Sequence, residues 1–406
     1  MQRDFGIVLF GATGFVGRLT AMYLAGHAPS EVRVALAGRS RERLEALRDE
    51  IGPLAAPWAL LVADSSDADD MAELASRTAV VATTVGPYLK YGQLLAEQCA
   101  RHGTHYADLT GEVLYVRAIA DRLHGMAADS GARIVNSCGF DSVPSDLAVL
   151  MAHRHARAEG AGELQAATLV LVSASGGLSG GTVDSLRTQL AATRADAALR
   201  GVLADPYALS PDRSAEADLG PQPDAFVPYR DTFVGAWVSP FLMASYNTRI
   251  VRRSNALQDW AYGKELRYRE VHGFGGPAAP VLAGGVAAGL GAMGLAMRTP
   301  LTRGVLDRVL PTPGQGPSER TRARGHFRTD THVRTVAGAR YVATVAAQGD
   351  PGYAATSVML GESALSLALD DLPAAAGVLT PATGIGMPLV ERLRDTGFRM
   401  TVTPLS

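Results

Sequence analysis

The sequence predicts an α/β protein: a doubly wound parallel sheet over residues 1–150, followed by an α+β domain that contains an antiparallel sheet. Three observations carry this. Short apolar runs alternate with stretches of helical periodicity through the first third, and the first run leads straight into a glycine-rich turn. The polar–apolar alternation of half-buried strands belongs to the later part of the chain. At 406 residues the chain suits two domains, because single cores tend to split beyond about 250 to 300 residues.

The first run, FGIVLF at residues 5–10, ends at Gly11 and has the pattern of a strand buried on both faces. Apolar residues at 15–26 recur at helical spacing and 32–37 makes a second strand, which completes a βαβ unit. Ser40 caps a helix through Ile51, its hydroxyl taking the orphan N–H groups of the first turn. Residues 60–63, 79–85, 105–109 and 134–136 continue as short buried strands, with a helix over 93–102. Such alternation implies parallel strands joined by right-handed crossovers.

After about residue 150 the character changes. Residues 167–173 make a strand, the Gly-rich segment 175–181 turns the chain, and 182–199 reads as an amphipathic helix. The stretch 205–228 is rich in Pro and Asp, lacks periodicity and reads as a long loop. Segments 322–336 and 339–348 alternate around Ala337 and Gly338, predicting an antiparallel hairpin. Helices over 353–369 and 387–394 finish the chain, the latter stopped after Thr396 by Gly397.

Gly11, Gly14 and Gly17 (GATGFVG) stand between the first strand and the first helix, the context in which such spacing signals a dinucleotide site. The first glycine allows the tight turn, the second lets backbone meet the pyrophosphate, and the third lets helix and strand pack closely. Ala12, Thr13, Phe15 and Val16 complete the cradle, where the helix N-terminus offers free N–H groups. The second strand ends Gly38, Arg39, Ser40, where an NAD site would place a carboxylate; Arg39 offers a planar fork for a 2′-phosphate. That predicts NADP(H), with Ser40 and Arg43 as further phosphate donors. The alternative is an exposed strand-end Arg39 with NAD bound all the same. Asp64 would lie beside the adenine, and Val85, Gly86, Pro87, Cys138 and Gly139 at the nicotinamide side, since ligands sit outside the carboxyl ends of the strands.

The segment CGFDSVPSD, residues 138–146, arrives at that same face. There Asp141 is a catalytic candidate that would orient substrate or a water; the competing account is that Asp141 or Ser145 caps the helix beyond Pro144. Tyr88 is the second catalytic candidate, as a phenolic proton donor, with Tyr91 beside it; either ring could instead serve packing. Nine histidines make no HExxH pair, so no metal is expected. No tyrosine has a lysine four residues on, which disfavours the short-chain reductase arrangement.

Composition narrows the partners. With 19% charged residues and a formal net charge of −2, nothing points to nucleic acid. Cys99 and Cys138 are too few for a disulfide framework or a zinc knuckle, and the first residues run into a strand without a secretory pattern, so a cytoplasmic protein is expected. Residues 281–297 carry no charge over seventeen positions, which leaves a buried or partner-covered helix, membrane-surface contact and a span as readings.

Taken together, GATGFVG, AGRS, TTVGPY followed by YG, ADLTGE at 107–112, GFDSVPSD and the late GVLTPATGIGMPL at 377–389 resemble the saccharopine dehydrogenase-like oxidoreductases from end to end. Within them the chain is most similar to the trans-acting enoyl reductases that serve mycobacterial polyketide synthases making phthiocerol-type lipids. The resemblance implies an NADPH-binding Rossmann domain interrupted by the α+β domain at 151–370, with 371–406 returning to the first. It implies hydride transfer to the β-carbon of an α,β-unsaturated acyl thioester in lipid biosynthesis but fixes no catalytic residue; their expected position at the nicotinamide face makes Tyr88 or a backbone N–H near Gly139 the candidate to serve the enolate. Segment 281–297 would suit a long acyl chain or a lipid surface; Arg249, Arg252 and Arg253 would meet an acidic carrier protein; the second domain would serve a homodimer. Two other readings stay open: a saccharopine-type amino-acid dehydrogenase, and an NADP(H)-binding sensor or scaffold without turnover.

Overall fold

The computed structural model describes residues 3–176, 180–297 and 316–405. Its parallel sheet grows from β1 (Phe5–Phe10), α1 (Phe15–His27), β2 (Val34–Gly38), α2 (Arg41–Ile51), β3 (Ala59–Val62), α3 (Ala68–Arg77) and β4 (Thr78–Thr83). The one-turn α4 (Tyr88–Tyr91), α5 (Gln93–His102), β5 (His105–Ala107), α6 (Val113–Ser130) and β6 (Arg133–Val135) follow. Local chemistry starts these helices: Ser40 Oγ accepts the Arg43 N–H at 3.3 Å, and Asp67 accepts the N–H groups of Asp69 and Asp70. With β13 (Gly377–Leu379) at one edge, the order is β13-β6-β5-β4-β1-β2-β3. Neighbours to either side of β1 were reached in opposite directions, so the crevice outside β1 and β4 is where this topology offers a ligand site.

One helix layer, α1 with the helix Thr356–Leu369, covers the face of Ile7 and Leu9; α3, α5 and α6 cover the face of Val8 and Phe10. β2 is buried along its whole length as a result.

The second sheet is built from β7 (Leu164–Ser175), β8 (Tyr229–Asp231), β9 (Ala236–Pro240), β10 (Arg267–Phe274), β11 (His326–Thr335), β12 (Arg340–Gln348) and β14 (Arg399–Leu405). Its order is β14-β12-β11-β7-β10-β9-β8, antiparallel at each step except β7 with β10. The expected hairpin is β11–β12, with Arg334 opposite Arg340 and Gly338 at φ +89° in the turn. Buried α7 (Val143–Ala158) packs on this sheet, and one hydrophobic cluster runs from Ile7 and Leu9 through α7 to Phe327 and Val345.

Two expectations change. The single helix over 182–199 is α8 (Gly180–Ala195) and α9 (Ala198–Ala204), because Asp196 accepts the Ala198 N–H at 2.8 Å and restarts the helix; residues 177–179 of the preceding turn lie outside the described residues. Past residue 371, β13 joins the parallel sheet but β14 pairs with β12, where its alternation buries Met400 against the second core. The remaining helices that bear on the site are α10 (Ala244–Ala256) and α11 (Ala279–Ala296).

Candidate functional site

A cavity of about 350 Å³ opens where the carboxyl ends of β4, β5 and β6 and the glycine loop face α8 and the start of α10. One wall is made by residues 14–16, Gly86, Pro87 and Gly139; the other by Leu186, Leu190, Leu203, Leu242, Met243 and Tyr246.

The glycine loop is shaped for a phosphate. Gly11 sits at φ +81°, and a Cβ there would lie 2.7 Å from Val85 Cγ2. A Cβ on Gly17 would strike the Gly11 carbonyl oxygen and lie 2.9 Å from Ala12 Cα, so α1 rests on the turn only because this residue has none. Gly14 is the N-cap of α1 and supplies no side-chain cap, which leaves first-turn N–H groups such as those of Phe15 and Val16 without a side-chain acceptor. A dinucleotide diphosphate fits this cradle.

At the end of β2, Arg39 is exposed and makes no hydrogen bond or ion pair among the described residues; Arg43 is exposed one turn along α2. Ser40 Oγ accepts at the helix cap and keeps its own proton to donate. Thr13 lies near Gly38, its Oγ1 being 3.8 Å from where a Cβ on Gly38 would stand. Asp64 accepts the Ser66 N–H and hydroxyl at 2.9 and 2.7 Å, bonds that hold its carboxyl below the usual range. Val85 packs beside β4, and the Gly86–Pro87 bond is cis. Cys138 does not face the cavity: it is fully buried with Sγ 3.6 Å from the Val135 carbonyl, a core residue rather than a cofactor contact.

The two catalytic candidates part company. Tyr88 borders the cavity, yet its hydroxyl donates to the Thr83 carbonyl and accepts the Leu109 N–H, both at 3.1 Å. Burial raises its pKa well above the ordinary phenol. Tyr88 therefore staples the end of β4 to the turn after β5, its hydroxyl proton engaged at the Thr83 carbonyl rather than aimed into the cavity. Tyr91 lies outside the lining, with the Lys90 ammonium 4.7 Å from its ring centre.

Asp141 lines the cavity and makes no hydrogen bond or ion pair among the described residues; desolvation raises its pKa to about 6. It is not a cap: the N-cap of α7 is Ser142, whose hydroxyl donates to Asn247 Oδ1 at 3.1 Å.

Several residues that line or brace the cavity escaped the sequence reading. Ser137 holds φ +68°, a left-handed conformation uncommon outside glycine, at the end of β6. Its hydroxyl is hydrogen-bonded to that of Tyr246, and both line the cavity. Buried Asp108 holds this turn, accepting the Ser137 N–H at 2.8 Å, the Asn136 side-chain amide at 2.8 Å and the Thr110 N–H at 3.0 Å; burial raises its pKa to about 6. Glu112 accepts the Tyr88 and Leu89 N–H groups at 2.8 Å and the Ser185 hydroxyl at 2.6 Å, so it heads α4 and ties it to α8 across the cavity. Both acids belong to ADLTGE, a signal present in the sequence; nothing local marked Tyr246.

Arg249, Arg252 and Arg253 do not present themselves to a carrier protein. They are 5%, 7% and 2% exposed and donate to backbone carbonyls, Arg249 to Asp205 and Leu203, Arg252 to Pro206, Arg253 to Leu209 and Val378. They pin 203–209 behind the cavity. α11, by contrast, rests on β9 and β10 with Val281, Leu282 and Leu295 exposed, and is long and apolar enough to cross a membrane.

Residues 7–135 match the family described as the saccharopine dehydrogenase NADP binding domain, and the chain accordingly takes NADP(H). A Mycobacterium tuberculosis relative is 50% identical over 100% of this chain and 99% of its own length. The trans-acting enoyl reductases of Mycobacterium ulcerans and Mycobacterium bovis are 49% and 47% identical over the same shares. Among solved structures, apo saccharopine dehydrogenase (L-Glu forming) from Saccharomyces cerevisiae aligns over 98% of this chain and 99% of its own, with a TM-score of 0.55 at 13% identity, a likeness of fold.

Proposed function

Because the chain belongs to the saccharopine dehydrogenase-like family, beside its trans-acting enoyl reductases, and is an NADP-dependent oxidoreductase, we propose that it reduces the α,β-double bond of an apolar acyl thioester. The observation that carries this reading is the charge of the cavity. Its described lining contains no Arg or Lys, and the wall opposite the glycine loop presents Leu186, Leu190, Leu203, Leu242 and Met243 among the polar Asp184, Ser185 and Gln189 of α8. An amino-acid substrate with two carboxylates needs cationic forks to hold it. An acyl chain needs apolar surface, which this wall supplies.

NADPH, when bound along the glycine loop with its 2′-phosphate at Arg39, supplies the hydride that adds to the β-carbon. The π electrons then move toward the thioester carbonyl, and the Ser137–Tyr246 pair answers the developing charge: one hydroxyl donates to the other, leaving one O–H for the substrate oxygen. Protonated Asp141 gives its proton to the α-carbon and recovers it from solvent, a cycle suited to its pKa of about 6. Delivery on the carrier domain of a polyketide synthase draws support from the trans-acting name of the relatives, and contact with a lipid surface draws support from exposed α11.

The test is stopped-flow mixing of NADPH-loaded protein with enoyl thioesters of increasing chain length. Oxidation of NADPH with formation of the saturated thioester is expected, faster for longer chains. Tight NADPH binding with no oxidation by any thioester would leave a sensor, and oxidation by imino acids alone would leave an amino-acid dehydrogenase.

A further inference from the structure

A second pocket, of about 310 Å³, lies on β7, β10 and β11 and is closed by residues 221–224 and Phe233; it shares no lining residue with the cavity described above. Strand register gives it an unusual floor. Arg267 stands beside Ala166, Ala166 beside Arg334, and Arg334 beside Arg340, so one row across four strands reads Arg, Ala, Arg, Arg. Strands lie about 4.8 Å apart, which puts Arg267 and Arg334 about 10 Å apart across an alanine, within reach of two guanidinium groups closing from both sides.

Like charges directly opposed across a ladder are destabilising. Here Arg334 and Arg340 oppose each other without a carboxylate: Arg334 lies over the Phe233 ring at 5.7 Å, and Arg340 donates to the Phe233 carbonyl at 3.3 Å. Arg267, exposed, makes no hydrogen bond or ion pair among the described residues. The next row differs, since Arg269 is neutralised by Asp231 at 2.5 Å and donates to Thr168 and Tyr229.

Arg252 reaches the same pocket from α10 and is more than nine-tenths buried. Its terminal nitrogens serve Pro206, Gln222 and Tyr268, but its buried Nε–H has no partner. That Nε is closed off from solvent, so what Arg252 gives the pocket is its positive charge from below rather than a free donor. The one carboxylate in the lining, Asp224, is 3.9 Å from Arg249, and burial pushes its pKa up.

We propose that this pocket binds a phosphate ester. Arg252, Arg267 and Arg334 outnumber Asp224, and the forks of Arg267 and Arg334, with the charge of Arg252 behind them, suit the several oxygens of a phosphate better than a single planar carboxylate. Pro221, Pro223 and Phe233 form an apolar rim for the organic remainder, and the volume exceeds that of a bare ion. The phosphate has two available sources, the phosphodiester of a carrier protein's prosthetic arm or the monoester of a free metabolite. Only the first source rests on the proposed reaction.

The experiment is calorimetric titration of the full chain, with NADPH saturating the cofactor site, using phosphopantetheine, glycerol phosphate, inorganic phosphate and unphosphorylated pantetheine. The phosphorylated ligands are expected to bind and pantetheine to bind about tenfold more weakly or not at all. R267A/R334A, and the milder R267Q and R334Q singly, should weaken phosphate binding by about tenfold while melting temperature and NADPH affinity stay unchanged. Preference for phosphopantetheine over glycerol phosphate assigns the carrier arm as source; equal affinity assigns a free metabolite. No binding of any phosphorylated ligand, or equal binding to wild type and to R267A/R334A, overturns the site. These readouts involve no turnover, so they are independent of whether the thioester is reduced.

Discussion

The two walls of the central cavity are made of different material. Toward the parallel sheet the wall is backbone, with Gly14, Gly86 and Gly139 bringing main chain to the surface; toward α8 and α10 it is side chain, with leucine and methionine set among Asp184, Ser185 and Gln189. A wall that presents N–H groups must hold them at fixed positions, and one added carbon disturbs it. A wall that need only be apolar accepts exchange of one hydrophobic residue for another. The contrast explains why the cofactor side appears as a motif and the substrate side does not.

The largest expected effect contrasts the walls directly. Gly17→Val drives a side chain into the Gly11 carbonyl and Ala12, and should cost about 3 kcal/mol or more of stability. Leu190→Met, a volume-conserving change in the opposite wall, should stay within about 1.5 kcal/mol. Thermal melting of both decides it, and equal losses would break the contrast.

Asp141, like Ser137, brings a side chain with chemistry to the backbone wall. Asp141→Asn should lower kcat by about 10²-fold with little change in KM. The wild-type rate should fall as pH rises through about 6, where the carboxyl loses its proton, and that limb should vanish in the variant. Stability should fall over the same range of pH. The folded pKa of about 6 exceeds the ordinary carboxyl value of 3.8, so this group's contribution is full below the lower value and lost as pH rises through the upper. The variant should therefore melt above wild type at neutral pH and match it near pH 4.

Smaller still is the cofactor discrimination. Arg39→Ala should weaken NADPH by about tenfold and leave NADH nearly unchanged in fluorescence titrations, since only the 2′-phosphate loses a partner. Smallest is Tyr88→Phe: the Thr83 carbonyl and Leu109 N–H lose their partner, stability should fall by about 1 kcal/mol, and kcat should hold. A large loss of kcat would return Tyr88 to the catalytic group.

Much of the first sheet was legible residue by residue. FGIVLF, GATGFVG and the Ser40 cap are local signals whose physics completes itself within one turn or one strand. Helix α6 was not read, because its hydrophobic residues are buried around much of its circumference and the amphipathic stripe is faint. The arginines of α10 illustrate the reverse error: a charged cluster reads as a surface, yet here each guanidinium finds main-chain carbonyls and goes inside.

By itself the sequence determined the parallel sheet, the phosphate cradle and the preference for a 2′-phosphate, since each depends on residues within reach of one another along the chain. Which side chains face the cavity was a tertiary decision. Tyr246 stands 109 residues from Ser137, and only the docking of α10 against the end of β6 brings their hydroxyls together. The same packing turned the Tyr88 hydroxyl into the frame and left Asp141 facing the cavity, because a side chain's role follows the partners that the fold places around it.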